Sequence, residues 1–415
     1  MNSHRPPRTA IVGFVVSVAM LLACLAWQAL ARPCLISNDA INYVDVARNI
    51  AAGRGITQST LGYNSGRFPA EGDWPVPCRA QAPGFPIAVA GLILLGLDGA
   101  RAATLTHVLG LAAAWVGVFL LVNELFGLAA GLAATAALLL VATMPGLAFH
   151  AWSESLAIAL ALFSTWAEVR HLVRRRVAGG AGPGGWLLPT AGALAGAAMA
   201  TRYAFFVAGL IGAAALWDRR QPRASMRDML RYGLAVLPFP LLVLAHSLWS
   251  GPAGILTAPP STTSFAENLA RVASVLSGAR LAGAYAPAAW VVEALAVALL
   301  AFLLARRARR AGTPVGALFR GPRALLPTWA AGYATTTALL ASWIFFEFGV
   351  RLLAPSLVFL ALWGAALVVY ALAASPRHVA LAGTVLALVL AGRVAASPAA
   401  GLDPRPRGAA ERDPG

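Results

Sequence analysis

The sequence predicts an all-α polytopic membrane protein with about eleven transmembrane helices and a first outer loop that carries an interfacial helix. Three observations carry that prediction. The 415-residue chain is 59% hydrophobic and only 12% charged, with a mean hydropathy of +0.72, well above the apolar share of soluble domains. Apolar runs of roughly 20 residues, enough for a helix to cross about 30 Å of hydrocarbon, recur along its length. Arginines gather between alternate runs, the asymmetry that orients membrane helices.

The first run, residues 9–31, follows "MNSHRPPR" and ends in "ALA", as a signal peptide would. It is longer than a signal peptide's apolar core and many spans follow, so it reads as an uncleaved first helix. Further spans are expected near 101–122, 127–145, 150–171, 186–200, 203–217, 232–250, 285–305, 324–345, 352–373 and 378–396, with a half-buried segment at 84–97. Residues 127–145 with 150–171, and 186–200 with 203–217, read as tight hairpins. The last two segments are short enough to be partly re-entrant. The largest pieces outside the membrane are two outer loops, 32–83 and 251–283. Residues 1–396 therefore read as one integral membrane domain, and the Pro-, Gly- and charge-rich 397–415 as a disordered tail.

The net charge of +16 comes from arginine alone, for the chain has no lysine. Such a balance suits nucleic acid, anionic lipid or membrane topology. Placing the N-terminus in the cytoplasm puts Arg5, Arg8, "RHLVRRR" (170–176), "RRQPRASMRDMLR" (219–231), "RRARR" (306–310), Arg320, Arg323 and Arg377 on the cytoplasmic side. Topology thus accounts for most of the charge, and nucleic acid is not an expected partner. Asp39, Asp45, Glu71, Asp73, Asp98, Glu154, Glu267 and Glu347 all fall outside or at the outer boundary. The lysine-free, Ala-, Gly-, Pro- and Arg-rich composition suits a GC-rich bacterial genome, so a bacterial inner membrane is the expected location. Cys24 lies in the first span, and Cys34 and Cys78 lie in the first outer loop. If that loop is periplasmic, a disulfide between those two is chemically permitted, and two free thiols are equally compatible.

The most polar stretch near a span is "ISNDAINYVDVARNIAAGRG" (36–55). Projected as a helix, Asn38, Asn42, Asp45 and Asn49 form a continuous polar stripe, while Ile41, Val44 and Ala51 lie on another face. Ser37 or Asn38 can cap it, Asp39 sits in the first turn, and "GRG" ends it. A helix lying along the interface fits this pattern. Asp39 and Tyr43 share one face, a turn apart. Asp39 also suits a helix N-terminus with no chemistry attached.

An acid just after the first span, followed by "Y...ARN(I/L)..G.G", resembles the opening signature of the C-type glycosyltransferase superfamily. The likeness is to bacterial members similar to protein O-mannosyltransferases and the lipid A aminoarabinose transferase. "QAPGFPIAVAGLILLG" (81–96) is similar to the family's "PPGYP" segment, and "LFGLAAGLAATAALLLVATMPG" (125–146) to its Phe-Gly and small-residue helix ending in Pro. "SES" (153–155) stands where the family often places an acid, and "ATRYAFFVAG" (200–209) resembles its "TRY" element. "GVRLLAPSLVFLALW" (349–363) resembles the late "RYLLPLLP" element, with Leu352 in place of the usual aromatic. These short motifs are scattered over residues 36–363 in the family's order.

The resemblance implies transfer of a sugar from a polyprenyl phosphate to a lipid, glycan or protein hydroxyl at the periplasmic face. A base must take the proton as the hydroxyl attacks, and Asp39 is the candidate for that base or for the group orienting the acceptor. The departing phosphate needs cations, and arginine meets phosphate oxygens in a bidentate manner. Arg202 and Arg351, at outer helix ends, are the candidates, with Arg79 a further phosphate contact. Either helix-end arginine can instead snorkel to water or pair with an acid. Tyr43 is placed to meet substrate. Glu71 and Asp73, late in the first loop, are candidate sugar ligands. Glu154 lies near the outer end of a span, where a carboxylate is costly unless it faces a cavity or partner.

No cofactor is implied with certainty. Divalent-metal dependence stays open, because the family has metal-requiring and metal-independent branches. His150 and Glu154, at i and i+4, permit ligation, but two ligands also make an ordinary hydrogen-bonded pair. The sequence contains no phosphate-binding Gly-rich loop with Lys, no CxxC pair and no G-x-S-x-G elbow. Two alternatives stand beside the transferase: a transporter or lipid flippase, and an inactive family member that scaffolds cell-envelope assembly. A transporter would place ionisable residues at mid-membrane and show an internal repeat; only Glu293 is a midspan candidate, and no repeat is evident.

Overall fold

The computed structural model describes residues 38–59, 75–78, 81–140, 153–177, 185–218, 221–249, 263–276, 286–312, 316, 321–343 and 353–372, with 15, 19, 23 and 27 as isolated helical positions. It is an all-α membrane protein. Thirteen helices run through these residues: α1 Asn38–Ala51, α2 Gly84–Leu94, α3 Gly99–Phe126, α4 Leu128–Leu140, α5 Glu154–Val177, α6 Leu187–Thr201, α7 Phe206–Ala215, α8 Pro222–Val236, α9 Pro238–Trp249, α10 Phe265–Leu276, α11 Ala286–Ala311, α12 Leu325–Trp343 and α13 Ala354–Leu372. Two-residue strands β1 (Thr57–Gln58) and β2 (Val76–Pro77) pair antiparallel and close the first loop on itself.

Among the described residues four helical stretches are long and apolar enough to cross a membrane: Gly99–Phe126, Glu154–Arg175, Pro222–His246 and Pro355–Leu372. The half-buried segment expected at 84–97 is α2, which buries Phe85, Pro86, Val89 and Ala90 and exposes Leu94 and Leu95. The expected spans at 186–200 and 203–217 are the short α6 and α7, joined through extended Arg202 and a 3-10 turn at Tyr203–Phe205. One expectation is corrected. The span boundaries at 217 and 232 leave the arginine-rich 219–231 as a connecting loop, yet α8 begins at Pro222. Proline is pre-organised for the first helical turn, and Ser225, Asp228 and Tyr232 form a buried stripe at helical spacing. That stripe outweighs the polarity of the rest.

The core lies between α3, α4, α5, α6, α7, α12 and α13. α5 packs against both α3 and α6, and α6 in turn carries α8 and α9. Small residues set these distances. A Cβ at Gly192 or Gly196 would strike the α8–α9 segment at the Tyr232 carbonyl or the Phe239 ring. Close approach of this kind is how membrane helices gain van der Waals contact without a hydrophobic driving force. Trp329 and Phe359 stack at 4.7 Å between α12 and α13. A second cluster, Ala40, Tyr43, Val44, Ala47, Phe85, Val89, Ala90, Ala102 and Ala103, fastens α1 and α2 to the start of α3.

Along α5, Glu154 and Arg175 stand roughly 30 Å apart at about 1.5 Å per residue, near the thickness of the hydrocarbon core. Arg175 meets Asp228 at 3.0 Å and Gln221 at 2.6 Å at the arginine-rich end of the bundle. The polar groups around Glu154 occupy the other end.

Candidate functional site

α1 is built by its own sequence. Ala40, Tyr43, Val44 and Ala47 recur at i, i+3, i+4 and i+7 and are buried on α2 and α3, the stripe expected of an amphipathic helix. The helix ends as "GRG" predicts. Gly53, at φ 74°, sends its N–H to the Ile50 carbonyl, and Arg54 sends its own to Asn49, the paired bonds of a left-handed glycine cap. The polar stripe is not wholly turned to water, however. Asn49 is buried and donates to the Thr57 carbonyl at 3.0 Å and to Ser59 Oγ at 2.8 Å, while Asp45 accepts from the Ser59 N–H at 2.6 Å. These residues fold the loop back on α1, and Ile41 is exposed instead. A helical projection cannot show that the loop returns over one of its faces.

One turn after half-buried Asp39, Tyr43 reaches across to the start of α5, where its hydroxyl lies 3.0 Å from Ser153 Oγ. The ring also meets Phe85 edge-on at 5.0 Å. Burial first, then the charge of Glu154, pushes the phenol pKa up to about 12, with Asp39 adding to the rise and Arg202 opposing it. Tyr43 therefore keeps its proton at neutral pH. Beside Ser153, Glu154 is wholly buried, and its Oε1 meets Arg202 Nη1 at 2.9 Å. Arg202 is 14% exposed. Tyr333 of α12 is buried against the same pair and packs on Phe205 at 5.0 Å.

The backbone fixes these side chains. A Cβ at Gly84 would come within 2.8 Å of the Ala200 carbonyl and the Thr201 nitrogen, so α2 rests directly on the end of α6 that presents Arg202. Tyr203 donates to the Gln81 carbonyl at 3.2 Å, and His246 Nε2 lies 2.6 Å from the Cys78 carbonyl. Both hold the returning limb of the first loop. Behind Glu154, buried His107 of α3 pairs with Ser155 Oγ at 2.9 Å.

The fold thus gathers Asp39, Tyr43, Glu154 and Arg202, residues drawn from three separate motifs. Glu71, Asp73, Arg79, His150, Arg351 and Cys34 lie outside the described residues, and Cys78 is buried. Glu293 lies in α11. Sequence reading missed Tyr333 and His107, whose only local signal is a polar group inside an apolar run. Ser153 lies within the quoted "SES". Among the described residues no three of His, Cys, Asp and Glu come together as a metal site. Chemically, the cluster offers a half-buried carboxylate, a protonated phenol, and a guanidinium largely withdrawn from solvent and paired with a carboxylate. That set suits an anionic group and a polar hydroxylated one.

No protein-family model matches the chain, and no curated protein matches it. Its fold is similar to the crystal structure of ArnT from Cupriavidus metallidurans bound to undecaprenyl phosphate, with a TM-score of 0.52 and 15% sequence identity. The match covers 85% of this chain and 59% of that protein, so this chain spans little more than half of its length.

Proposed function

We propose that this protein is a glycosyltransferase of the C type. It takes a sugar from a polyprenyl phosphate and passes it to a lipid, glycan or protein hydroxyl at the periplasmic face of a bacterial inner membrane. The observation that carries this reading is the Glu154–Arg202 pair, withdrawn from solvent and standing beside Tyr43, itself one helical turn from Asp39, at the bundle end opposite the arginine clusters. The likeness in fold to a structure holding undecaprenyl phosphate supports the donor class.

In this reading Asp39 accepts the proton of the attacking hydroxyl, or orients that hydroxyl for attack. Arg202 meets the phosphate as it gains charge on departure. Glu154 holds the guanidinium in place, and Tyr43 donates from a phenol that keeps its proton. Arg351 and Arg79 add cations, and Glu71 and Asp73 contact the sugar. The topology is about eleven spans with the N-terminus in the cytoplasm and residues 1–396 as one domain. Preparing the lipid-linked donor already invested the activation energy, which accords with a chain that lacks a nucleotide-binding motif.

The test is transfer from a panel of radiolabelled polyprenyl-phosphate sugars to a cell-envelope extract by purified protein in liposomes, with Asp39→Asn alongside. Transfer by the wild type and a fall of about 100-fold or more in folded Asp39→Asn are expected. Absence of transfer from every donor would overturn the reading. Equal transfer by both proteins would remove Asp39 from the chemistry.

A further inference from the structure

α8 is helix where the sequence suggested loop, and its outward face takes no part in the site at the other end of the bundle. We propose that this face is a binding strip for anionic phospholipid headgroups in the leaflet at the arginine-rich end. Arg223, Arg227 and Arg231 recur every fourth residue and all are exposed. Each step advances roughly 6 Å along the helix and roughly 40° around it. Met226, Leu230 and Leu234, exposed as well, form the adjoining stripe. The opposite stripe, Ser225, Asp228 and Tyr232, faces the bundle.

Charge on this helix is separated by side. Asp228, the single acid of α8, turns inward, where His171 and Arg175 meet it at 3.2 and 3.0 Å. The outward face keeps three positive charges, and among the described residues no carboxylate pairs with any of them. Nor does the helix stop in water. It passes through Leu237 into α9, whose Leu241, Leu242, Leu244 and Leu248 are exposed. The combined stretch Pro222–His246 is the least buried of the four candidate spans, at 11%.

Arg231 therefore stands about two turns along a helix that faces lipid. An arginine so placed needs water reached by snorkelling or an anion brought to it. A phosphodiester supplies the anion, and the guanidinium meets its oxygens in a bidentate manner. The apolar stripe alongside supplies a surface for the acyl chain. Free inorganic phosphate shares the headgroup chemistry but has nothing to lay along Met226, Leu230 and Leu234.

The experiment uses the full chain in vesicles of phosphatidylcholine, with or without phosphatidylglycerol, and in phosphatidylcholine with added inorganic phosphate. The readouts are hydrogen exchange of the α8 backbone and lipid retained in native mass spectra. Phosphatidylglycerol should slow exchange in α8 and be retained, inorganic phosphate should do neither, and each Arg→Gln change should weaken retention by about five-fold. R223Q/R227Q/R231Q should respond alike to all three media. Should that variant fail to fold, R227Q alone and the charge-keeping R223K/R227K/R231K serve, the first losing about five-fold and the second keeping most of the retention. Equal behaviour of the wild type in the two lipids, an effect reproduced by inorganic phosphate, or undiminished retention in the glutamine variants would overturn the proposal.

Discussion

Arg202 Nη1 donates to Glu154 Oε1 across 2.9 Å, joining the turn between α6 and α7 to the first residue of α5. Both side chains are largely withdrawn from solvent, at 14% and 0% exposure. Removing one partner leaves the other charge buried, which costs about 3–5 kcal/mol. Glu154→Gln and Arg202→Gln should each lower the unfolding midpoint in detergent by a comparable amount. The double variant should lose clearly less than the sum, because it strands no charge. A double-mutant cycle with full additivity would show that the two do not act on each other.

Tyr43 and Ser153 join α1 to the same end of α5. Tyr43→Phe keeps the edge contact with Phe85 and deletes the hydroxyl, so stability should fall by about 1 kcal/mol. Under the proposed function, sugar transfer should fall further than stability does. Thermal unfolding and transfer rate, measured on one preparation, separate the two effects.

Gly84→Ala tests the contact between α2 and the end of α6. The neighbouring atoms belong to the backbone at Ala200 and Thr201, so no side chain can rotate aside. The helices must part, at a cost of about 1–3 kcal/mol. A matching Gly91→Ala change on the same helix meets nothing within 4 Å and should leave the unfolding midpoint unchanged or slightly raised.

The start of α10 should respond to acid. Ser264 and Glu267 cap it reciprocally: the Ser264 N–H and Oγ donate to Glu267 Oε2 at 2.7 and 3.1 Å, and the Glu267 N–H donates to Ser264 Oγ at 3.2 Å. Those bonds hold the carboxyl pKa below its ordinary 4.5. The unfolded segment therefore takes up its proton first as pH falls. The cap's contribution is complete above about 4.5 and is lost as pH drops through the folded value. Hydrogen exchange in the first turn of α10, referenced to intrinsic rates, should lose protection over that interval, and Glu267→Gln should abolish the dependence.

Much of the architecture was legible because apolar helices advertise themselves. The expected spans at 324–345 and 352–373 fall on the helices α12 and α13, of which Pro355–Leu372 is long and apolar enough to cross a membrane, and the predicted end of α1 falls at Gly53. Where reading failed, a local rule met a tertiary one. Polarity favours a loop at 219–231, yet Ser225 and Asp228 there, with Tyr232 just beyond, are buried at helical spacing. Asn49 was expected on a polar face and is covered by its own returning loop.

The candidate site divides in the same way. Asp39, Tyr43, Glu154 and Arg202 could each be singled out, since polar groups beside apolar runs are costly and so informative. Their pairing could not. Glu154 opens α5, Arg202 lies in the turn after α6, and Tyr333 stands beside them on α12. By itself the sequence determined that the chain is helical, apolar and asymmetric in charge, because hydropathy and arginine placement act over one helix length. Only the tertiary structure decided that Arg202 turns to Glu154 instead of water, because that choice depends on how closely α2, α5, α6 and α12 approach one another.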